Sequence, residues 1–379
     1  MDKIAFFINN MAGGGAERVV SVLLKNLSRK NREFFLIVLE DKFYYQIPND
    51  VKIIRLKARF FGFLKLKKII KENKIDLVFS FLGRSNYTNI LAKLFGSNHR
   101  IYINERINPS KMHLGINPKA ILNRFLIRRL YKKADLVFSN SLGIRNSLDK
   151  DFNIASDKIK VIYNPIDIEK IQNLCHNSLE AEYRELFRHP VIINIGRLTK
   201  QKGQEYLIRA FKNIITCRTR RGPTSDRDPR SDLGSAESAK LVILGEGELE
   251  KDLRDLAKKL GLENDIFFLG WQKNPFKFLS RARIFVLSSL WEGLPNTLIE
   301  ALACGCPAIS TDCPSGPNEI IETDRSGILL PVKDERALAQ AIIKILSNPS
   351  FSQELIQNGK KRAEDFSVKN IINQYERII

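Results

Sequence analysis

The sequence lacks any apolar run long enough to span a membrane. A spanning helix needs about 20 consecutive apolar residues, and no segment of the 379-residue chain approaches that length. Residues 1–10 also lack the long apolar core and the cleavage site of a secretory signal. We therefore expect that the protein does not span a membrane.

Cysteine and histidine are scarce, and their positions favour neither disulfides nor metal binding. The five cysteines are odd in number and lie mostly among apolar residues, as reduced cytoplasmic thiols do. Cys304-Gly-Cys306 and Cys313 have no fourth ligand nearby, so we interpret them as small buried residues rather than a zinc site. No histidine forms a recognisable catalytic dyad, and we expect each to be structural or exposed: His99, His113, His176 and His189.

Negative charge is scarce in one half of the chain only. The whole sequence has 62 Lys and Arg against 42 Asp and Glu, a net charge of +20. Residues 1–170 account for +17 of this charge, whereas residues 171–379 are close to neutral at +3. This imbalance indicates that the first half meets a polyanion. Nucleic acid, an anionic membrane surface and a diphosphate all satisfy that requirement.

Short apolar runs alternate with helical stretches along both halves. This alternation predicts parallel sheets covered on both faces, so we expect two Rossmann-like α/β domains that face a central cleft. The predicted strands are 3–9, 34–40, 51–56, 76–81, 100–104, 135–140, 191–196, 240–245, 266–270, 284–289, 307–311 and 327–331. We expect a first domain, a linker, a second domain and a terminal helix that could cross back to the first: 1–170, 171–189, 190–365 and 366–379.

One segment, 217–239, has no apolar periodicity and is rich in Arg, Asp, Ser, Gly and Pro. We interpret it as a mobile surface loop. Its Asp226-Arg-Asp228 matches the Asp-x-Asp pattern that binds a metal in some enzymes, but no strand precedes it to fix the carboxylates. Asp149-Lys-Asp151 fails in the same way. We therefore expect no metal.

Three consecutive glycines follow the first predicted strand. Gly13, Gly14 and Gly15 open the first predicted helix. Glycines let backbone N–H groups approach an anion, and the positive end of the helix adds to the attraction. The spacing differs from G-x-G-x-x-G, which argues against a nicotinamide dinucleotide. A tight strand-to-helix turn is an equally good interpretation.

Two cations lie in the loop that follows the first strand of the second half. Arg197 and Lys202 belong to the segment 196–203, which feeds a predicted helix at the carboxyl end of a strand. A guanidinium can bridge two phosphate oxygens while an ammonium neutralises charge, so this pair suits a diphosphate. A solvated basic loop is the alternative.

Two glutamates with seven residues between them form the most specific pattern. Glu292 lies in a loop after the strand 284–289, and Glu300 lies in the helix that begins near Asn296. The free N–H groups at the start of this helix could hold a phosphate. Alternatively, Thr297 and Glu300 form a capping box, and Glu292 is a solvated loop residue.

In combination these motifs resemble the retaining glycosyltransferases of family four, which have the GT-B fold. The resemblance covers nearly the whole chain except 217–239. Within that family the chain resembles the bacterial N-acetylgalactosaminyltransferases that extend polyprenyl-diphosphate-linked saccharides in N-glycan and O-antigen assembly. The link at 164–167 belongs to the family resemblance, and the segments that carry the closer resemblance are 15–21, 104–105, 240–247 and 298–304.

The resemblance implies a role for each motif. Arg197 and Lys202 would bind the diphosphate of a UDP-sugar donor, Glu300 its ribose, and Glu292 the transferred sugar. The remaining donor-binding positions would be Gly14, Gly15, Gly245, Gly247, Leu294, Asn296, Thr297 and Leu298. Contacts to the donor sugar or the acceptor would come from Arg18, Asn104 and Glu105. Many relatives have a histidine before the acid at 104–105, where this chain has Asn104. Many also have a Gly or Ser with a free N–H where this chain has Pro295. These two differences leave the identity of the donor sugar undecided.

The family mechanism requires no covalent nucleophile and no metal. The diphosphate leaves while the acceptor hydroxyl attacks from the same face, and the departing phosphate oxygen takes the acceptor proton. The protein then contributes electrostatic stabilisation through its cations and helix N-termini.

The resemblance also offers a purpose for the basic first half. In the segment 55–74 aromatic and basic residues are mixed, which suits an interfacial helix on anionic lipid at the cytoplasmic face of the inner membrane. The membrane-binding residues would be Phe60, Phe61, Lys65, Lys67 and Lys68. A helix buried on the sheet with a solvated basic edge is the alternative.

The predicted function is therefore transfer of an N-acetylhexosamine onto a polyprenyl-diphosphate-linked saccharide, with retention of configuration and without a metal. The favoured donor is UDP-GalNAc, which supplies GalNAc. One alternative is transfer of another nucleotide sugar in lipopolysaccharide or capsule synthesis. A nucleic-acid-binding protein is a remote alternative, because the sequence has no zinc finger or aromatic-basic RNA motif and such a role leaves Glu292 and Glu300 unexplained.

Overall fold

The computed structural model describes residues 1–57, 61–112, 118–219 and 239–379. They form two compact units. The first consists of Met1–Pro165 together with Val368–Ile379, and the second is Ile166–Ser367. Most of the predicted mobile loop, residues 220–238, lies outside the described residues, as does its Asp226-Arg-Asp228.

The first unit contains a seven-stranded parallel sheet in the order β3-β2-β1-β4-β5-β6-β7. Its strands are β1 (Asp2–Ile8), β2 (Arg32–Val38), β3 (Lys52–Arg55), β4 (Leu77–Phe81), β5 (Arg100–Glu105), β6 (Leu136–Ser139) and β7 (Ile159–Val161). Its helices before the junction are α1 (Gly15–Asn26), α2 (Gly62–Asn73), α3 (Gly83–Leu94), α4 (Pro109–Met112), α5 (Pro118–Leu130) and α6 (Leu142–Lys150).

The second unit contains a six-stranded parallel sheet in the order β10-β9-β8-β11-β12-β13. Its strands are β8 (Val191–Ile195), β9 (Lys240–Leu244), β10 (Ile266–Phe268), β11 (Ile284–Leu287), β12 (Ala308–Thr311) and β13 (Ile328–Leu330). Its helices are α7 (Ile168–Cys175), α8 (Ala181–Arg184), α9 (Gln204–Thr219), α10 (Glu250–Lys259), α11 (Phe276–Leu279), α12 (Asn296–Ala303), α13 (Pro317–Ile320), α14 (Glu335–Leu346) and α15 (Pro349–Glu364). The predicted pair of Rossmann-like domains is confirmed.

The last helix, α16 (Val368–Glu376), returns to the first unit. Its Ile371 and Tyr375 are buried in the core beside β1 and β4, and the ring of Tyr375 stacks on that of Phe138 with centroids 6.0 Å apart. The Glu376 carboxylate accepts the backbone N–H of Ser28 at 2.6 Å and pairs with Arg32. The helix α16 therefore completes the first core.

The segment 171–189, expected to be a linker, is part of the second unit. It contains most of α7, all of α8 and a 3-10 turn at Leu186–Arg188. Ile171 is buried, and Asn274 donates to the carbonyl of Leu174 at 3.0 Å. The expectation was wrong because these short helices bury only a few apolar residues, so their composition stays polar.

The central strands are buried on both faces, which explains their continuous apolar runs. Along β1, Phe6 points into one core layer and Phe7 into the other, because successive side chains of a strand alternate. Both rings are fully buried. Among the described residues, no helix is both long enough and apolar enough to cross a bilayer.

His99 is a buried histidine that is hydrogen-bonded inside the first unit. Its ring contacts Asn89 Oδ1 at 2.9 Å and Ser97 Oγ at 3.1 Å. Burial, assisted by the charge of Lys93, lowers its pKa to about 4.

We expect the contribution of neutral His99 to the free energy of unfolding to be fully present above pH 6.5. This contribution should be lost as the pH falls from 6.5 toward 4. In that window the unfolded chain binds a proton that the folded chain does not, which costs at most about 3 kcal/mol. Urea unfolding of the wild type and of His99→Gln at pH 7 and pH 4.5 measures the effect. Equal losses of stability in the two proteins would contradict this assignment.

Candidate active site

Polar residues converge at the carboxyl ends of β8 and β11, where the order of the second sheet reverses. Such switch points are where open α/β sheets bind ligands. The loop after β8 contributes Lys202, and the loop after β11 contributes Glu292. The Lys202 Nζ lies 2.5 Å from Glu292 Oε1, and both side chains are largely buried. The two residues, predicted to bind different parts of one ligand, thus contact each other directly.

Further donors fix the Glu292 carboxylate. Ser289 Oγ donates to Oε1 at 2.7 Å, and Gln201 Nε2 lies 3.5 Å from Oε2. Thr311 in turn donates to the carbonyl of Ser289 at 2.5 Å. Because Oε1 takes both strong contacts, Oε2 keeps most of its capacity to accept a hydrogen bond from a ligand.

The two loops are joined through their backbones. Leu290 donates its N–H to the carbonyl of Gln201 at 2.8 Å, and Ser288 Oγ donates to the carbonyl of Lys202 at 2.9 Å. Gly203 has a φ of +58°, and a Cβ there would overlap the carbonyl oxygen of Ser288. Glycine at 203 is what lets the loops approach closely enough to pair Lys202 with Glu292.

The start of α12 has no side-chain cap. Pro295 is the N-cap residue, and the first turn is closed by the Leu298 N–H bonding the Pro295 carbonyl at 3.0 Å. The alternative of a Thr297–Glu300 capping box is therefore not realised. Residues Asn296, Thr297 and Leu298 form the first turn, as predicted for an anion-binding helix end, and Glu300 is 5% exposed one turn further in.

Arg197 lies in the same loop as Lys202 but is exposed. Its carbonyl accepts Gln204 Nε2 at 3.1 Å and the Thr199 N–H at 2.9 Å, which fixes the backbone and leaves the guanidinium in solvent. Leu294, in the loop after β11, is buried. The structure thus provides one fixed cation and one exposed cation near this edge of the sheet.

Gly245 and Gly247 have a packing role that the sequence did not reveal. Gly245 has a φ of +133°, and a Cβ there would overlap the carbonyl oxygen of Gly196. A Cβ on Gly247 would overlap the carbonyl oxygen of Leu198. These glycines let the loop after β9 pack directly on the loop that carries Arg197. Their role in binding the donor stays a prediction.

In the first unit, the glycine loop ends as predicted at a helix N-terminus. Gly14 is the N-cap of α1, Gly15 is its first residue, and the Arg18 N–H bonds the Gly14 carbonyl at 3.0 Å. The Glu17 carboxylate occupies the space that a Cβ on Gly14 would take. An anion at this helix end would therefore require Glu17 to move aside.

Asn104 and Glu105, predicted to touch a sugar, lie in a buried network at the end of β5. Tyr131 Oη donates to Glu105 Oε2 at 2.7 Å, and Asn86 Nδ2 donates to the Asn104 carbonyl at 3.1 Å. Burial raises the pKa of Glu105. The neighbouring Arg106, which sequence reasoning missed, is also buried and donates to Asn164 Oδ1 at 2.6 Å.

The predicted membrane segment combines features of both interpretations. Leu66 and Ile70 of α2 are buried against the sheet, whereas Lys65 and Lys68 are exposed and Phe61 is 70% exposed. Lys67 Nζ donates to the carbonyl of residue 95 at 2.8 Å. Phe60 lies outside the described residues.

A second exposed apolar stripe, on α5, was not predicted. Ile121, Leu122 and Phe125 lie on one face of the helix and are 54%, 55% and 55% exposed. Exposed cations follow on the same helix and just after it: Arg124, Arg128, Arg129, Lys132 and Lys133. The apolar residues have the spacing of a core-facing helix, which is why sequence alone did not mark them as surface.

Possible metal ligands do not cluster in the part of the chain that the structure describes, where no group of three His, Cys, Asp or Glu is placed to hold an ion. Asp151 of the second Asp-x-Asp pair accepts hydrogen bonds from Ser147 Oγ at 3.0 Å and from Ser110.

Two family models match the chain, one over each α/β unit. The model described as Glycosyltransferase Family 4 matches residues 13–170. The model described as Glycosyl transferases group 1 matches residues 181–362.

Similar proteins extend over nearly the full length. The N-acetylgalactosamine-N,N'-diacetylbacillosaminyl-diphospho-undecaprenol 4-alpha-N-acetylgalactosaminyltransferase of Campylobacter jejuni is 35% identical, over 97% of this chain and 96% of the relative. The GalNAc-alpha-(1->4)-GalNAc-alpha-(1->3)-diNAcBac-PP-undecaprenol alpha-1,4-N-acetyl-D-galactosaminyltransferase of the same organism is 28% identical, over 100% of this chain and 98% of the relative.

Among solved structures, Alr3699/HepE from Anabaena, in complex with UDP, matches with a TM-score of 0.77 at 20% identity, over 99% of this chain and 98% of that one. This likeness shows the fold. Since a relative of 35% identity is matched almost end to end, and each unit matches its own family model, the chain belongs to the family 4 glycosyltransferases and has the GT-B fold.

Proposed function

We propose that this glycosyltransferase transfers an N-acetylhexosamine onto a polyprenyl-diphosphate-linked saccharide with retention of configuration. The favoured sugar is GalNAc, with UDP-GalNAc as the donor. Two relatives named as N-acetylgalactosaminyltransferases of undecaprenol-linked saccharides support the substrate classes. The observation that carries the proposal is the buried Lys202–Glu292 pair at the switch point of the second sheet, beside the uncapped start of α12.

The donor diphosphate is bound by Arg197, Lys202 and the first turn of α12. These groups stabilise the charge that develops as the diphosphate leaves, and they act without a metal. Glu292 accepts hydrogen bonds from hydroxyls of the transferred sugar through the oxygen that Lys202 leaves open, and Glu300 accepts those of the ribose. The acceptor hydroxyl attacks from the leaving-group side and gives its proton to the departing phosphate oxygen.

A donor screen tests this proposal. Purified protein is incubated with a synthetic polyprenyl-diphosphate-linked saccharide and UDP-GalNAc, UDP-GlcNAc or UDP-glucose, with and without a chelator. We expect the fastest transfer with UDP-GalNAc, an α-linked product and little effect of the chelator. A clear preference for UDP-glucose would favour the alternative of lipopolysaccharide or capsule synthesis, and a β-linked product would exclude retention.

Arg197→Ala is expected to weaken UDP binding about tenfold. The exposed guanidinium contributes a charge-assisted contact of about 1.5 kcal/mol to the diphosphate. Lys200→Ala is the matched control, because Lys200 is an exposed cation of the same loop. Calorimetric titration with UDP measures both affinities. Equal effects of the two changes would show that Arg197 acts only through its positive charge and makes no specific contact with the diphosphate.

We further propose that the protein is peripheral, on the cytoplasmic face of the membrane that holds its acceptor. The +17 charge of residues 1–170 and the exposed apolar residues of α2 and α5 support this location. Basic residues attract anionic headgroups, and exposed apolar side chains add a part that salt does not screen.

Vesicle sedimentation tests the membrane surface. We expect anionic vesicles to bind the protein at low salt and to release part of it at high salt. Lys65, Lys67 and Lys68→Glu should reduce the binding that salt screens, whereas Ile121, Leu122 and Phe125→Ser should reduce the part that resists salt. Lys258→Glu with Lys259→Glu, on exposed positions of α10, is the control. Equal sedimentation with neutral and anionic vesicles would leave the basic surface without a membrane role.

A further inference from the structure

Two thiols from distant parts of the chain meet in the second unit. Cys175 is the last residue of α7, and Cys304 is the first residue after α12. Their Sγ atoms are 3.3 Å apart although 129 positions separate them in sequence. Both residues are partly exposed. The sulfurs are therefore in contact and within reach of small molecules in solution.

The pair lines a cavity of about 560 Å³ whose charged side chains include Arg281 and Lys360. Arg281 donates to the Cys175 carbonyl at 3.2 Å, and Ser280 Oγ donates to the same carbonyl at 3.1 Å. These two bonds hold the end of α7 beside the cavity. The cavity gives a small disulfide or a peroxide access to the sulfurs.

The surroundings favour a thiolate on Cys175 more than on Cys304. The hydrogen bond shared with Cys304, with smaller effects of Ser280, Arg281 and Lys360, lowers the pKa of Cys175. The pKa of Cys304 is raised, chiefly by the same hydrogen bond. Both sulfurs lie at helix C-termini, where the helix dipole disfavours a thiolate, so the neighbouring cations are needed to support one. Because Arg281 and Lys360 favour a thiolate on Cys175, we assign Cys175 as the nucleophile of the pair.

We propose that Cys175 and Cys304 form a reversible thiol-oxidation site that reacts with low-molecular-weight disulfides. The Cys175 thiolate attacks one sulfur of the small disulfide, forms a mixed disulfide and releases one small thiolate. Cys304 then gives its proton to solvent base and attacks Cys175 Sγ, which forms the Cys175–Cys304 disulfide and releases the second small thiolate. Two protein thiols are oxidised and one small disulfide is reduced, so the electrons balance.

The other described cysteines do not compete for this reaction. Cys306 and Cys313 are 2% and 1% exposed, and burial raises the pKa of each. The side chain of Cys217 lies outside the described residues. Exposure and charge therefore select Cys175 as the point of attack.

Oxidation would act on the helix that carries the proposed ribose ligand. A disulfide brings its sulfurs to about 2.05 Å, so closing the 3.3 Å contact shifts the side chains at the ends of α7 and α12. Cys304 is four residues from Glu300, and α12 begins directly after the loop that contains Glu292. We therefore expect the oxidised protein to bind UDP differently; this consequence rests on the proposed function, whereas the disulfide itself does not.

The chemical test uses the full-length protein and glutathione disulfide. After incubation, free thiols are alkylated and peptides are mapped without reduction. We expect one cross-linked peptide pair joining Cys175 to Cys304, reversed by dithiothreitol. In the Cys304→Ser variant the reaction should stop at the glutathione adduct on Cys175. The Cys175→Ser variant should form neither the adduct nor the cross-link, and the Cys306→Ala variant should still form the cross-link. Unmodified Cys175 in excess glutathione disulfide would overturn the site.

The functional test compares UDP affinity of the reduced and oxidised protein. We expect at least a threefold change that dithiothreitol reverses and that Cys175→Ser does not show. An unchanged affinity in fully cross-linked protein would overturn the link to α12 while leaving the oxidation site in place. Absence of UDP binding in both forms would instead contradict the proposed function.

Discussion

Replacing Lys202 by methionine is expected to reduce transfer at least about thirtyfold. The methionine keeps the alkyl stem that lies against Gly196 but removes the charge that the leaving diphosphate needs. Loss of one such group costs about 2 kcal/mol or more of transition-state stabilisation, which corresponds to this factor in rate. The change also leaves the buried Glu292 carboxylate without its cation. Steady-state release of UDP in the presence of acceptor measures the effect.

A double-mutant cycle separates the role of the pair from that of each residue. Groups in direct contact couple, so Lys202→Met with Glu292→Gln should cost clearly less than the sum of the two single changes. Lys200→Met, on the exposed side of the same loop, should stay near the wild-type rate. Strictly additive losses would mean that the 2.5 Å contact has no part in turnover.

Gly245→Ala is expected to destabilise the protein by about 3 kcal/mol and to weaken UDP binding. A left-handed φ costs a residue with a Cβ about 1–2 kcal/mol, and here the Cβ also overlaps the Gly196 carbonyl oxygen, so the loop that carries Arg197 and Lys202 must move. Gly261→Ala is the matched control, since its φ is +66° and a Cβ there meets nothing within 4 Å.

The control substitution should therefore cost only the conformational strain, about 1 kcal/mol, and leave UDP binding intact. Urea unfolding and calorimetric titration measure the two effects. Equal destabilisation by the two substitutions would show that the close approach of the two backbones contributes nothing.

Much of the fold could be predicted because strands buried on both faces leave continuous apolar runs. All the predicted runs are strands, and β1 with its Phe6 and Phe7 is a clear example. The strand β7 was missed because it has only three residues, of which Ile159 alone is buried. The polar composition of 171–189 predicts a linker, because Ile168 and Ile171 are the only buried residues of α7.

The site could be predicted residue by residue but not as an arrangement. Loops at the carboxyl ends of parallel strands mark Lys202 and Glu292 as candidates, yet 90 positions separate them and nothing in the sequence states that they pair. The same limit hid the contact of Cys175 with Cys304. Such contacts depend on the order of strands in the sheet, which local periodicity does not encode.

The return of α16 to the first unit affects how the chain is made. Domains generally fold in the order of synthesis, at roughly 5–20 residues per second. Here the sheet of the first unit leaves the ribosome early, but Tyr375 covers Phe79 and Phe138 only after all of residues 166–367 have been translated. For on the order of 10–40 s the nascent first unit exposes this aromatic surface. The core of the first unit is complete only once α16 has been translated, and until then its exposed aromatic surface favours aggregation and chaperone binding.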